Sequence, residues 1–371
     1  MGSPLRIARS LRTGGAAASF VATVLLTATK QPTAAGLFLT NHHRIPRSSS
    51  RKFHHSSLNY YAHKQSYNTV SELKMTSNDG NDDSTTKSNL FLFDFDGVVC
   101  DSCDECTVSA WRTCKILNAI PNNFDTTTTQ NNNDDDDDDG SLPPQWLFGK
   151  MREIRPAIEV GWQIPVLLSV FLDQHVNSSP SNPAMSVPEV LERYEQLVEN
   201  WLKKYSLTEK DMIDTFGQVR DDWISEDRKS WLDINTFYQG ISQAINDCAG
   251  EAVLVTTKQQ RFATALVRHA GVTDASMPDD SIYGLGMYKS KADVIADRMQ
   301  RGGYESAHFF EDRYPTIAKA LNDDRLENVV FYLCSWGYCT DKELQMAKEE
   351  PRVTVLNLED FASVVTSSSS S

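Results

Sequence analysis

The sequence predicts an α/β fold: a parallel sheet covered by helices on both faces, interrupted after its first strand by an all-helical insertion. Three observations carry this. From Glu251 onward, short β-branched and aromatic runs alternate with helical segments. One more strand-like run, "NLFLFD" (89–94), stands alone well ahead of them. Between the two, from about Val108 to Ile245, apolar residues recur at helical spacing and few β-branched runs intervene.

Taken in order, the elements justify that reading. Up to Ser71 there is no Asp or Glu, while Arg6, Arg9, Arg12, Arg44, Arg47 and Arg51 sit among Ala, Ser, Thr and His. Such composition marks residues 1–75 as an organellar presequence, with mitochondrial and chloroplast addresses both compatible. A plain polar tail is the alternative. The apolar run "AAASFVATVLLTA" (16–28) is too short and too rich in Ala and Thr for a stable membrane span, although a secretory signal could contain it. Residues 76–88 are polar and without periodicity, a linker. The α/β core is expected over 89–101 and 246–365, the helical insertion over 102–245, and a short polar tail over 366–371. Within the insertion, the Asp-rich stretch at 125–142 repels itself and reads as a solvated loop. The helix best defined by its pattern is "VPEVLERYEQLVENWLKKY" (187–205). The later strands are "AVLVT" (252–256), "SIYG" (281–284), "AHFFED" (307–312), "NVVFYL" (328–333) and "RVTVLN" (352–357).

With 371 residues, 40% of them hydrophobic, the chain can bury a sizeable core. A formal net charge of -14 argues against a general partner among nucleic acids or anionic membranes, which are approached through basic surfaces.

In open parallel sheets, ligands gather at the carboxyl ends of the strands. The first strand ends in Asp94 and Asp96, with Phe95 directed away between them and Gly97 permitting a sharp turn. Two close carboxylates repel, which raises one pKa or draws in a hard divalent cation such as magnesium. Acidic pairs also open ordinary loops, so the pair alone does not specify chemistry. The next strand ends in Thr256 and Thr257, whose hydroxyls could hold phosphate near a helix N-terminus or could simply cap it. "YKSKAD" follows, with Lys289 before a helix, and then Glu311 and Asp312 close a buried strand. Cys100, Cys103, Cys106 and Cys114 mimic a metal-cluster spacing, but Cys103 and Cys106 fit packing on one helix face better.

The order of these elements resembles the haloacid dehalogenase superfamily, over roughly residues 89–360, and in particular its C1-capped phosphatases. "DFDGVVCDS" is similar to the first motif, "LVTTK" to the second, and "YKSKAD" to the third, with Lys289 at the lysine, Asp293 after it, and Lys291 as the competing lysine. "CSWGY" (334–338) is similar to a downstream segment of many members, and "NTFYQGISQAI" to the stretch that leads back to the core, with Gln239 in place of proline. The fourth motif departs: Glu311 stands where glycine is usual and Thr316 where a second Asp is.

The resemblance implies a Rossmann-like core with a helical cap, a Mg2+ cofactor held by Asp94, Asp96, Glu311 and Asp312, and phosphate held by Thr256, Thr257 and Lys289. It implies Asp94 as nucleophile toward phosphorus, Asp96 as acid/base, and Thr256 and Lys289 as further catalytic residues. The expected activity is hydrolysis of a small phosphorylated metabolite, such as a phosphosugar or phosphoglycolate. A phosphosugar mutase of the same design, or a catalytically weak binding module, are the alternatives. Arg152 and Arg155 of the insertion are available to an ester anion, with structural ion pairing the competing role.

Overall fold

A computed structural model describes residues 89–124 and 142–367. The presequence (1–75), the linker (76–88), nearly all of the Asp-rich stretch (125–142) and most of the tail (366–371) lie outside these residues.

β1 (Leu90–Phe93) has four buried residues, which is what a strand at the centre of a sheet covered on both faces requires. After it comes the insertion: β2 (Cys100–Asp101), α1 (Cys103–Ile116), α2 (Gln145–Ile154), α3 (Ile164–Asn177), α4 (Val187–Glu192), α5 (Tyr194–Tyr205), α6 (Glu209–Asp233) and β3 (Thr236–Phe237). The remainder alternates: α7 (Ile241–Asn246), β4 (Glu251–Val255), α8 (Gln260–His269), β5 (Ile282–Tyr283), α9 (Lys291–Gly302), β6 (Ala307–Glu311), α10 (Tyr314–Leu321), β7 (Val329–Cys334), α11 (Asp341–Glu349), β8 (Val353–Leu356) and α12 (Leu358–Thr366). The α/β expectation is borne out, with a six-stranded parallel sheet in the order β5-β4-β1-β6-β7-β8.

That order decides where a ligand can go. After β1 the chain builds outward through β4 and β5, then returns to the other flank of β1 with β6. Connections diverge on either side of β1, so a crevice opens at its carboxyl end. Register places Phe93 beside Leu254 on one side and Phe310 on the other.

Alternation sorts the strands' side chains into two cores. Phe91, Phe93, Phe310 and Tyr332 face the layer with α8 and α12, while Leu90, Leu92, Phe309 and Phe331 face the layer with α9 and α10. Phe310 lies near-parallel to Tyr332 with centroids 4.7 Å apart, stacks on Phe93 at 5.0 Å and meets the edge of Phe361 at 5.3 Å.

The insertion has a core of its own, built on Trp111, Leu147, Met151, Trp162, Leu168 and Phe171. Its two connections to the sheet are tied together by the antiparallel pair β2 and β3, with Cys100 opposite Phe237 and Asp101 opposite Thr236. Cys103, Cys106 and Cys114 are buried in that core from one face of α1.

Two details differ from the sequence reading. The pattern over 187–205 is split, because Arg193 leaves helical geometry (φ -100, ψ 8) and a second helix starts after it. α7, assigned to the insertion by the 245 boundary, instead packs Ile241, Ala244 and Ile245 into the sheet's core. A helical period reports an amphipathic face but not which core receives it. Among the described residues, no helix is long and apolar enough to cross a membrane.

Phe310→Ala would leave a cavity between rings that have little freedom to collapse, a loss of roughly 3–5 kcal/mol. The expected outcome is a lower urea midpoint with an unchanged denaturant slope.

Candidate functional site

β1 delivers Asp94 directly to the crevice. Its Oδ1 accepts from the Phe95 N–H (2.7 Å) and faces Lys291 Nζ at 2.9 Å. The chain then turns at Gly97, which has φ +88. A Cβ there would stand 1.9 Å from Asp312 Oδ2 and 2.9 Å from the Tyr338 ring, so both conformation and space demand glycine.

β6 brings the other carboxylates. Glu311 Oε2 accepts from Lys291 Nζ (2.7 Å) and Oε1 from the Arg313 N–H (3.1 Å). Asp312 Oδ2 accepts from the Tyr338 N–H (2.7 Å). Asp94, Glu311 and Asp312, all buried, each offer an oxygen within 4.8 Å of the others. When all three are ionised, Lys291 and the more distant Arg155 oppose three charges.

Burial is the largest influence on Asp94, whose pKa is pushed up to about 7; the charges of Glu311 and Asp96 add to it and Lys291 works against it. Burial likewise raises Asp312 well above the carboxylate range, followed by Glu311 and Asp94. Hard oxygen donors converging with surplus negative charge fit a small divalent cation, which would take these three carboxylates and fill its other positions with water or a phosphate oxygen. Glu311 thus occupies the cluster in which Thr316 offers no carboxylate; Thr316 only lines the adjoining cavity.

Asp96 belongs to a different group. Its Oδ1 accepts a short hydrogen bond from Ser102 Oγ and lies 3.3 Å from Lys258 Nζ. Burial works to raise its pKa, but Lys258, Arg155 and the Ser102 bond together hold it below the usual carboxylate value. The expectation that Asp96 joins the metal carboxylates is therefore corrected, since its side chain is occupied by a lysine and a hydroxyl instead.

The lysine is corrected as well. Lys289 is exposed at the rim of the cavity, whereas Lys291, two residues on, reaches Asp94 and Glu311. Ser290 is the N-cap of α9, its Oγ accepting from the Asp293 N–H (3.2 Å), so Lys291 starts the helix and is aimed inward. Asp293 is used up in that cap and in an ion pair with Arg325.

Thr256 and Thr257 end β4 as expected but divide their tasks. Thr256 is fully buried and its hydroxyl accepts from the Lys258 N–H (3.1 Å), the local-bonding role, while its carbonyl accepts from the Tyr288 hydroxyl (2.6 Å). Thr257 lines the cavity and donates to the Glu159 carbonyl of the insertion (3.1 Å).

From the insertion, Arg152 pairs outward with Asp101 and Asp104, the structural role. Arg155 turns inward: it is buried, lies 4.3 Å over the Tyr338 ring, and donates to the Ile158 carbonyl (3.1 Å). Among the described residues its Nε has no hydrogen-bond partner. Asp94, Asp96, Arg155, Lys291, Glu311 and Asp312 all face one cavity of about 290 Å³. A smaller one, about 30 Å³, adjoins it at Asp96 and Arg155.

Lys258, Glu105 and Arg220 were missed by sequence reasoning. Lys258 stood beside the threonines in "TTKQQ" and carried that signal alone; Glu105 and Arg220 meet across the insertion and had none.

No family model matches the chain, and no curated protein does. Among solved structures, a protein described as a predicted phosphatase from Clostridium acetobutylicum aligns at 17% identity, covering 76% of this chain and 99% of that one, with a TM-score of 0.44. One described as a predicted phosphoglycolate phosphatase, from Haemophilus somnus, aligns at 14% identity over the same shares with a TM-score of 0.45. A haloacid dehalogenase-like family hydrolase from Streptococcus pneumoniae aligns at 14% identity, again over 76% and 99%, with a TM-score of 0.37. These are distant likenesses in chain course and transfer no activity.

The raised Asp94 and Asp312 set a pH dependence. A carboxyl whose folded pKa lies above its unfolded value contributes stability at acid pH that is lost as pH rises through the folded value. In a chelator, the melting temperature should therefore fall as pH goes from 5 to 8. Saturating Mg2+ should remove most of that fall, and Asp312→Asn should abolish the Mg2+ effect in the same melts.

Proposed function

We propose that this chain is a haloacid dehalogenase-type phosphatase that hydrolyses a small phosphate monoester with magnesium. The observation that carries the reading is the convergence, on one cavity at the end of β1, of two differently treated carboxylates. Asp94 sits with Lys291, Glu311 and Asp312, and Asp96 sits with Ser102 and Lys258. One carboxylate is built into a cation-binding cluster and the other is held apart from it, which suits a nucleophile and an acid/base group.

In this reading an Asp94 oxygen attacks phosphorus while Lys291 steadies that carboxylate and neutralises the transferring group. Oδ1 is tied to the Phe95 N–H and Lys291, which leaves Oδ2 for attack. Asp96, ionised at rest, takes up the proton of the ester monoanion, gives it to the departing oxygen and then takes one from the water that hydrolyses the aspartyl-phosphate. Magnesium, when bound by Asp94, Glu311 and Asp312, supplies charge neutralisation at the phosphoryl oxygens. Among the described residues Arg155 is buried, forms no close ion pair with a carboxylate and has no hydrogen-bond partner for its Nε, which supports recognition of an anionic ester. Arg155, Ile158, Glu159 and Val160 of the insertion line the cavity, which supports a role of the insertion in keeping water from the reacting groups. A space of about 290 Å³ suits a metabolite of the size of a phosphosugar or phosphoglycolate. The acid-poor N-terminus supports an organellar address.

Phosphate release from p-nitrophenyl phosphate should require Mg2+. Asp94→Asn should lower it by at least about 1,000-fold, within the range that removal of a covalent nucleophile produces, with the melting temperature retained. A wild-type-like rate in that variant would remove the nucleophile assignment. Conversion of a sugar phosphate to its isomer without net release would favour the mutase.

A further inference from the structure

On the side of Asp96 away from the carboxylate cluster, a second group of charges is buried. Glu105 of α1 is fully buried, and its carboxylate accepts from Arg220 Nε (2.7 Å) and an Arg220 terminal nitrogen (2.8 Å), from Ser109 Oγ (2.7 Å) and from Trp231 Nε1 (3.2 Å). One bidentate guanidinium from α6 already balances its charge. Lys258 Nζ stands 3.6 Å from Glu105 Oε2, beyond hydrogen-bond distance, and closer, at 3.3 Å, to Asp96 Oδ1. Its side chain is 2% exposed. A buried ammonium costs several kcal/mol unless an anion compensates it, and with Glu105 committed to Arg220, that anion is Asp96.

The way Asp96 is held gives this pairing a purpose. Ser102 and Lys258 both address Oδ1, and among the described residues Oδ2 has no hydrogen-bond partner. Asp96 lines both cavities. A carboxylate tied through one oxygen from two directions is fixed in its plane, and the other oxygen is left for chemistry.

Resting on the phosphatase reading, we propose that Lys258 is a positioning residue: placed by the Glu105–Arg220 pair, its ammonium pins Asp96 Oδ1 so that Oδ2 meets the leaving-group oxygen. Asp96 rests as the carboxylate; the ester enters as its monoanion and passes its phosphoryl proton to Asp96 Oδ2. In the step that follows, an Asp94 oxygen forms a bond to phosphorus and the ester P–O bond breaks. Its electron pair stays on the departing oxygen, and the proton on Asp96 Oδ2 moves to that oxygen, giving a neutral alcohol and the aspartyl-phosphate. Lys258 touches no reacting atom. Its effect is therefore confined to leaving groups that need the proton.

The test compares wild type with Lys258→Met, an unbranched replacement of similar length, by kcat/KM for two esters. p-Nitrophenyl phosphate departs as a stable phenolate and gains little from protonation, whereas n-propyl phosphate departs as an alcohol. The variant should lose roughly 100-fold on the propyl ester, the lower end of what general acid catalysis contributes, and less than about tenfold on the aryl ester. Partial unfolding lowers both rates alike and cancels in their ratio. Equal losses on the two esters, or a wild type active on the aryl ester alone, would overturn the assignment of Lys258 and leave the phosphatase reading standing. A wild type that releases phosphate from neither ester overturns that reading, and the assignment with it.

Discussion

A strand that is apolar on both faces can present charge only at its end, and charge emerging there is already half out of water. The rest of the structure answers to that constraint. Leu90, Phe91, Leu92 and Phe93 are buried, and the next polar residues, Asp94 and Asp96, appear where desolvation disfavours their ionised forms. Groups that stabilise them must come from elsewhere: Lys291 from the start of α9, Lys258 from the β4 loop, Ser102 from the start of the insertion. Three carboxylates around Lys291 on one side, and Asp96 and Glu105 around Lys258 and Arg220 on the other, make two environments, and Arg155 acts on a carboxylate of each.

The same crowding explains why the loop after β1 is clasped by a segment far along the chain. Asp312, Gly97 and Gly337 pack so closely that a Cβ on either glycine would overlap the Asp312 side chain. Tyr338 secures the arrangement from several directions. Its N–H holds Asp312, and its hydroxyl accepts from the Ser102 N–H and donates to Asp101 Oδ1. Its ring carries the Arg155 guanidinium. Trp336 adds a bond from its indole N–H to the Val98 carbonyl. The "CSWGY" segment thus holds together the metal-type cluster, the first turn and the base of the insertion.

The insertion is joined to the sheet by more than its two connections. Glu105 and Arg220 lie on its helices yet complete the surroundings of Lys258 and Asp96, while Glu159 reaches α10 through Lys319 and the β4 loop through Thr257. The exposed pair Glu159–Lys319 adds little stability. The buried Glu105–Arg220 pair matters more for geometry than for net free energy, because desolvation offsets much of its attraction.

Much of the fold was legible in the sequence, because strand and helix periods are written in residues that are close neighbours along the chain. All six strands of the sheet, the long helical interruption and the acidic pair at the end of β1 follow from such local patterns, as does the presence of polar residues at the ends of β4 and β6. The site was legible only as a set of positions. That Lys291 reaches Asp94 and Lys289 does not was decided by Ser290 capping α9, a choice between two lysines two residues apart. That Glu311 joins the carboxylates, and Asp96 leaves them for Lys258, was decided by which oxygens the packed strand ends bring together. Arg220 meets Glu105 across 115 residues, and no periodicity records so distant a partner. Local sequence determines the elements and the chemistry they carry; the pairing of buried charges is set when those elements pack, because only then does desolvation require each charge to find its counterpart.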